Sequence, residues 1–275
     1  MTSIPTEFDD SFLDWFRERT EAAWAALPAR TPKDALAEYV KRGAGGEQWQ
    51  AGTRWLNGLR EEEIIRIERR WGLTFPPDYR LFLRRLHTVD RPMLSAGYLG
   101  EGERPSAAPE RLTSAYLRRY RQYMVLEEGP SFYNWLTDTD ALEGQFAWLW
   151  EGLQFDIEHN DLWLSAWGAK PAPLEVRNDR ARALVEAAPK LIPIYGHRYL
   201  LAEPCAAGNP VFSVYQSDIV VYGANLRDYL LVEFADFIGL DEQSVREIRQ
   251  EWRVRVLARK REYLAIPFWG GLLTM

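Results

Sequence analysis

The chain has 275 residues, of which 47% are apolar and 27% charged, a globular composition that excludes a disordered or collagenous chain. Its single cysteine, Cys205, rules out an intramolecular disulfide framework and fits a reducing compartment. The net charge is −6 and unevenly placed: residues 1–135 hold 20 acids and 20 bases, residues 136–245 hold 17 acids and 7 bases, and residues 246–275 hold 3 acids and 7 bases. An acidic middle third argues against nucleic-acid binding, which needs a basic stripe, and suits a basic protein partner. No apolar run is long enough to span a bilayer, and the opening MTSIPTEFDD lacks a basic segment followed by an apolar one. We therefore expect no membrane association, no secretory signal and a cytoplasmic location.

Helical spacing dominates the first part. From Ser11 the apolar residues Phe12, Trp15, Phe16, Trp24 and Leu27 recur at mostly helical intervals until Pro28. Thr31-Pro32 then supplies an N-cap and a first-turn proline for a helix over 33–42. Gly43-Ala44-Gly45-Gly46 ends it as a connector, since no Gly-Lys-Ser/Thr follows to make a phosphate cradle. Residues 59–71 put Ile64, Ile67 and Trp71 on one face, with Gly72 as the left-handed C-terminal residue. Glu68 falls near that stripe, so its carboxylate is expected to take a donor and to anchor the chain after Gly72. Phe75-Pro76-Pro77-Asp78 opens a second helix, with Tyr79, Phe82, Leu83 and Leu86 at i, i+3, i+4 and i+7.

Residues 89–109, rich in Gly, Pro and Ser, read as irregular, and helical pattern returns over 110–124 and 138–150. Strand character falls at 153–157, 191–195, 211–215 and 219–222, with Gln216-Ser217-Asp218 as a hairpin connection. Leu226, Tyr229, Leu230, Phe234, Phe237 and Ile238 mark an amphipathic helix, and Val245, Ile248, Trp252, Val256 and Tyr263 a last long one. Helices, then strands, then helices predict an α+β class, mainly an antiparallel sheet packed against helices.

The run Ile64-x3-Glu68-x3-Gly72-x2-Phe75-Pro76-x2-Tyr79-x2-Phe82-Leu83 resembles the opening signature of the SUKH superfamily, named for the yeast Smi and Knr cell-wall-synthesis regulators and including many bacterial relatives. Residues 191–196, Gly208-Asn209-Pro210 with 211–214, Tyr222-Gly223 and the helix bearing Phe234 and Phe237 are similar to that family's closing pattern. The resemblance covers residues 59–240, with a longer middle than the family core requires. Leu86-His87-Thr88-Val89 stands where the family has Asn-Gly, and 197–207 replaces a short acidic turn. The resemblance implies an α+β sheet and a protein-binding role, in bacteria commonly the neutralisation of a toxin, with no shared catalytic set.

The sharpest chemical candidate is Asp156-Ile157-Glu158-His159-Asn160-Asp161. On a strand with Phe155 and Ile157 inward, Asp156 and Glu158 would project together and His159 could complete a metal or acid–base cluster; the alternative is a polar strand end or loop. Cys205, between Pro204 and Ala206, has no adjacent base and reads as a buried or loop cysteine. His197-Arg198-Tyr199, Asn209, Gln216 and Asp218 gather donors and acceptors at two strand connections, serving either their own turns or a partner. Trp148, Trp150, Trp163 and Trp167 flank the acidic stretch; most are expected in the core, with one or two exposed as anchors.

The reading is a helical extension at 1–58, a SUKH-like domain at 59–240 and a packed helical tail at 241–275. Its expected function is non-enzymatic binding of a basic toxin domain, as an immunity protein, with no cofactor or metal. The surface expected to do this comprises Asp156, Glu158, Asp161, Trp163, Trp167, His197, Arg198, Tyr199, Asn209, Gln216 and Asp218. A regulatory scaffold for several host proteins is the alternative, ahead of a hydrolase built on 156–161.

Overall fold

The computed structural model describes residues 4–28, 49–91, 93–98, 124–128, 131–235 and 237–274. Asp9 caps the first helix, α1 (Asp10–Ala25), by accepting the Phe12 N–H at 3.0 Å, and Phe12, Leu13, Trp15, Phe16 and Trp24 form its buried face. α2 (Glu61–Trp71) opens on three glutamates at its positive end and stops at Gly72, whose φ of 59° is the left-handed conformation expected there. α3 (Pro77–Arg85) begins on a proline, which the first turn accepts because no N–H is needed. Glu68 anchors the connection as anticipated: Oε1 accepts the Phe75 N–H at 2.8 Å and the Arg80 guanidinium at 2.6 Å.

The expected helix over 33–42 and its glycine connector lie outside the described residues, as does all but Met124 of the helix expected over 110–124. Strand β1 (Leu94–Tyr98) falls where irregular chain is expected and pairs antiparallel with β2 (Met124–Glu128), which begins at the last residue of the expected helix. Residues 153–157 are not a strand. α4 (Thr139–His159) runs through them. Leu153, Phe155 and Ile157 alternate over five residues, but Leu149, Leu153 and Ile157 also recur at i, i+4 and i+8, and it is this stripe that is buried. A further helix, α5 (Leu174–Glu186), buries only Ala181 and so carries little apolar signal.

The main sheet is an antiparallel meander in the order β3 (Leu191–Tyr195), β4 (Arg198–Leu201), β5 (Val211–Tyr215) and β6 (Asp218–Gly223). Strand β4 lies within 197–207, the stretch that replaces a short turn and for which no strand is expected. Four residues opening on Arg198 are too few to show alternation. Both faces of the sheet are covered. Ile192, Ile194, Leu200 and Val211 meet α1, α2, α3 and α6 (Leu226–Phe234), whereas Tyr199, Leu201, Phe212, Val214 and Val221 meet α4 and the C-terminal segment.

The 1–58 segment contributes directly to the first core, since Phe16 meets Phe234 edge-on at 5.3 Å and Trp55 Nε1 donates to Thr20 at 2.8 Å. At the other end, α7 (Glu242–Ala258) is fixed to α6 by Arg255, which pairs with the buried Asp228 at 2.8 Å. After α8 (Lys260–Leu264), Trp269 closes the second core and donates to the Pro189 carbonyl at 2.7 Å. Helices on both faces of an antiparallel sheet make the chain α+β. Among the described residues no helix is long and apolar enough to cross a membrane.

Candidate functional site

Helix α4 and the β5–β6 turn build a surface together. Gly152 lies against the turn, and a Cβ there would sit 2.9 Å from the Gln216 Cα, so a side chain would force the two apart. One turn later Asp156, only 5% exposed, holds the turn by charge: Oδ2 accepts the Ser217 N–H at 2.9 Å and the Ser217 hydroxyl at 2.5 Å, while Oδ1 accepts from Asn160 at 2.6 Å. Burial pushes the Asp156 carboxyl up, but the hydrogen bonds from Ser217 and Asn160 outweigh it and hold it below the usual range.

The clamp presents aromatic rings. Trp148 meets Tyr215 at 5.9 Å between ring centres, and Tyr215 is 58% exposed. Phe155, on the same side of α4 seven residues after Trp148, is 46% exposed and lies 4.6 Å from the His159 ring between centres. Exposed carboxylates border the rings: Asp218 is the cross-strand partner of Tyr215, and Glu151 lies on α4 between Trp148 and Phe155. The sheet's antiparallel order places the β3–β4 turn, with exposed His197, at the same end, where the His197 carbonyl accepts the Val214 N–H at 3.0 Å.

The sequence-derived candidates divide between structural and exposed roles. Asp156 and Glu158 do not project together, because residues two apart on a helix diverge by about 200°. Glu158 instead accepts from Gln154 at 2.8 Å and from Asn178 of α5 at 2.7 Å; the Gln154 bond, then that from Asn178, lowers its pKa. Trp167 is buried and stacks on Phe268 at 5.5 Å, and half-buried Trp163 packs edge-on to Trp167 and donates to the Gly168 carbonyl at 2.9 Å. Tyr199 is buried beneath α4 and donates to the Gln145 side chain at 2.7 Å. Asn209 is also buried, its amide donating to the carbonyls of Leu201 and Pro204 at 2.9 and 2.7 Å, which closes the loop between β4 and β5.

Arg198 is largely covered, with its guanidinium 4.0 Å over Tyr222 and bonded to Glu233 at 3.3 Å and Ser213 at 2.9 Å. Asp161 is exposed and paired with Lys170. Gln216 and Asp218 remain at the aromatic surface, Gln216 half-buried at φ 56°. Among the described residues no group of three His, Cys, Asp or Glu side chains could hold a metal ion.

Comparison with known families, curated proteins and solved structures finds no match to this chain.

The exposed rings Tyr215 and Phe155 are not among the residues expected from sequence, where Trp163 and Trp167 are the candidate anchors. The available signal was Phe155 falling off the Leu149, Leu153, Ile157 stripe once 153–157 is read as helix. Tyr215 was marked by its place immediately before a polar turn.

Proposed function

We propose that the chain is a non-enzymatic protein-binding module of the immunity type, which neutralises a basic toxin domain by covering it. The observation that supports this reading is the surface at α4 and the β5–β6 turn, where Trp148, Tyr215 and Phe155 are bordered by Glu151 and Asp218. Aromatic rings supply rigid apolar area to an interface at small entropic cost, and the surrounding acids select a basic surface. The excess of acids over bases across 136–245 extends the negative field beyond the contact itself. The SUKH resemblance of residues 59–240 adds to the same reading.

Steric occlusion needs no chemistry from the module. A negative field speeds encounter, and burial of Tyr215 and Phe155 slows dissociation. The hydrolase alternative has less to work with, because the Asp156 and Glu158 carboxylates are engaged by Ser217, Asn160, Gln154 and Asn178.

The test is affinity capture from a lysate of the source cells, run in parallel with the wild-type chain and a Tyr215→Ala/Phe155→Ala/Asp218→Lys variant. The expected result is one stoichiometric basic protein on the wild type, absent from the variant, whose toxicity on expression is relieved by co-expressing the chain. Several substoichiometric proteins would favour the scaffold alternative. Equal retention on the variant would overturn the surface assignment.

A further inference from the structure

Helix α4 has a second outward side. An open groove of about 780 Å³ runs between it, the end of α5 and Trp269, lined by Trp71, Phe146 and Trp150 among others. Along its wall Glu143, Ala147 and Glu151 rise at i, i+4 and i+8, all exposed. At 1.5 Å per residue the two glutamates stand about 12 Å apart along the helix, with only a methyl group between them. Neither has a partner among the described residues. The groove's two cations are engaged: Arg182 pairs with Glu186 at 3.2 Å and lies over Trp150, and Lys190 donates to the Gly72 carbonyl at 2.6 Å.

The C-terminal helices carry the counterpart. Arg253 and Leu257 stand one turn apart on α7, and Arg261 follows on α8, after Arg259 (φ −97°, ψ 8°) breaks the helix. Leu257 is 64% exposed and Val254 beside it 60%, and neither Arg253 nor Arg261 has a partner among the described residues. Two arginines on either side of a protruding leucine thus match in sign two glutamates flanking an alanine at the wall of an apolar groove. The contrast also holds at longer range, since residues 246–275 hold 7 bases to 3 acids and residues 136–245 the reverse excess.

We propose that the groove receives the α7–α8 face of a second copy of this chain, with Leu257 entering beside Ala147 and Arg253 and Arg261 pairing with Glu143 and Glu151. The two faces are different surfaces of one protomer, so the contact is heterologous and copies add head to tail. The inference goes beyond toxin binding; Glu151 borders both surfaces, but the test needs only the purified chain, so its failure leaves the proposed function untouched.

Sedimentation of the purified chain over a concentration series, at low and high salt, tests it. The wild type is expected to grow beyond the monomer mass with concentration, less so at high salt. Glu143→Arg/Glu151→Arg and, separately, Arg253→Glu/Arg261→Glu are each expected to raise the midpoint concentration about tenfold or more, as two ion pairs become two repulsions. An equimolar mixture of these two variants is expected to associate again, because each reversed face then meets its reversed counterpart; this also shows that both are folded. Leu257→Ala, which leaves every charge in place, is expected to weaken association as well. A wild type that stays monomeric throughout, an association indifferent to both reversals, or a mixture as monomeric as its components would overturn the proposal.

Discussion

Replacing Asp156 with alanine removes, at one buried position, the acceptor for the Ser217 N–H, the Ser217 hydroxyl and the Asn160 amide. Hydrogen bonds to a charged group contribute roughly 1.5–3 kcal/mol each, but two of these reach one oxygen and alanine also removes the cost of burying the carboxylate, so the net loss should be about 3 kcal/mol. At roughly 2–4 °C per kcal/mol for a chain of this size, thermal unfolding should shift down by about 9 °C. Asp156→Asn keeps an acceptor and should lose about half as much. The Asp156 carboxyl lies below its usual range, so its contribution is fully present above the unfolded pKa of about 3.9 and is lost as pH falls through the lower folded value. Differential scanning calorimetry should therefore find the gap between wild type and Asp156→Ala wide at neutral pH and closing in strong acid. A shift under about 2 °C at neutral pH, the scale of an ordinary surface substitution, would refute the clamp.

Other expectations follow from single contacts. Helix propensity alone makes Gly152→Ala a gain of about 1 kcal/mol, but the new Cβ would meet the Gln216 backbone at 2.9 Å; denaturant titration should show a net loss of about 1 kcal/mol, and a gain would contradict the close approach. Burial lowers the pKa of His87 to about 4, and its Nε2 accepts the Trp135 N–H at 3.2 Å. The unfolded chain therefore binds the extra proton between pH about 6.5 and 4, so stability should fall by about 3 kcal/mol as pH drops through that window. A His87→Gln variant with the same slope there would rule this out. Glu68→Ala should cost about 2 kcal/mol by orphaning the Phe75 N–H and leaving Arg80 with Glu61 as its one carboxylate partner, with Glu68→Gln recovering part; chemical denaturation that leaves the midpoint unmoved would contradict the anchor.

Local chemistry made some elements legible. Gly72, Pro76-Pro77 and the stripe from Tyr79 to Leu86 each carry a backbone constraint within a few residues, and α2 and α3 form where they predict. The same holds for Glu68 and for the β5–β6 hairpin. What sequence pattern misplaced depends on partners far along the chain. Residues 153–157 satisfy both a two-residue and a helical period, and only the burial of Leu149, Leu153 and Ile157 against the sheet decides between them. Asp156 looked like one of a pair of free carboxylates because the donors that occupy it, at Ser217, lie 61 residues away. Strand β4 is short and opens on Arg198, a charged residue covered by Glu233 and Tyr222 from other elements. The tryptophans carry no local signal of which side they face; Trp167 is buried, and the exposed rings are Tyr215 and Phe155.

The central claim is that an acidic surface steers a basic partner onto exposed aromatic rings. Association and dissociation rates of the captured partner, measured at low and high ionic strength on the wild type and on Tyr215→Ala, test it most directly. The account predicts that salt lowers the association rate far more than it changes dissociation, and that Tyr215→Ala speeds dissociation while leaving association nearly unchanged. An association rate indifferent to salt, or a dissociation rate indifferent to Tyr215→Ala, would contradict it.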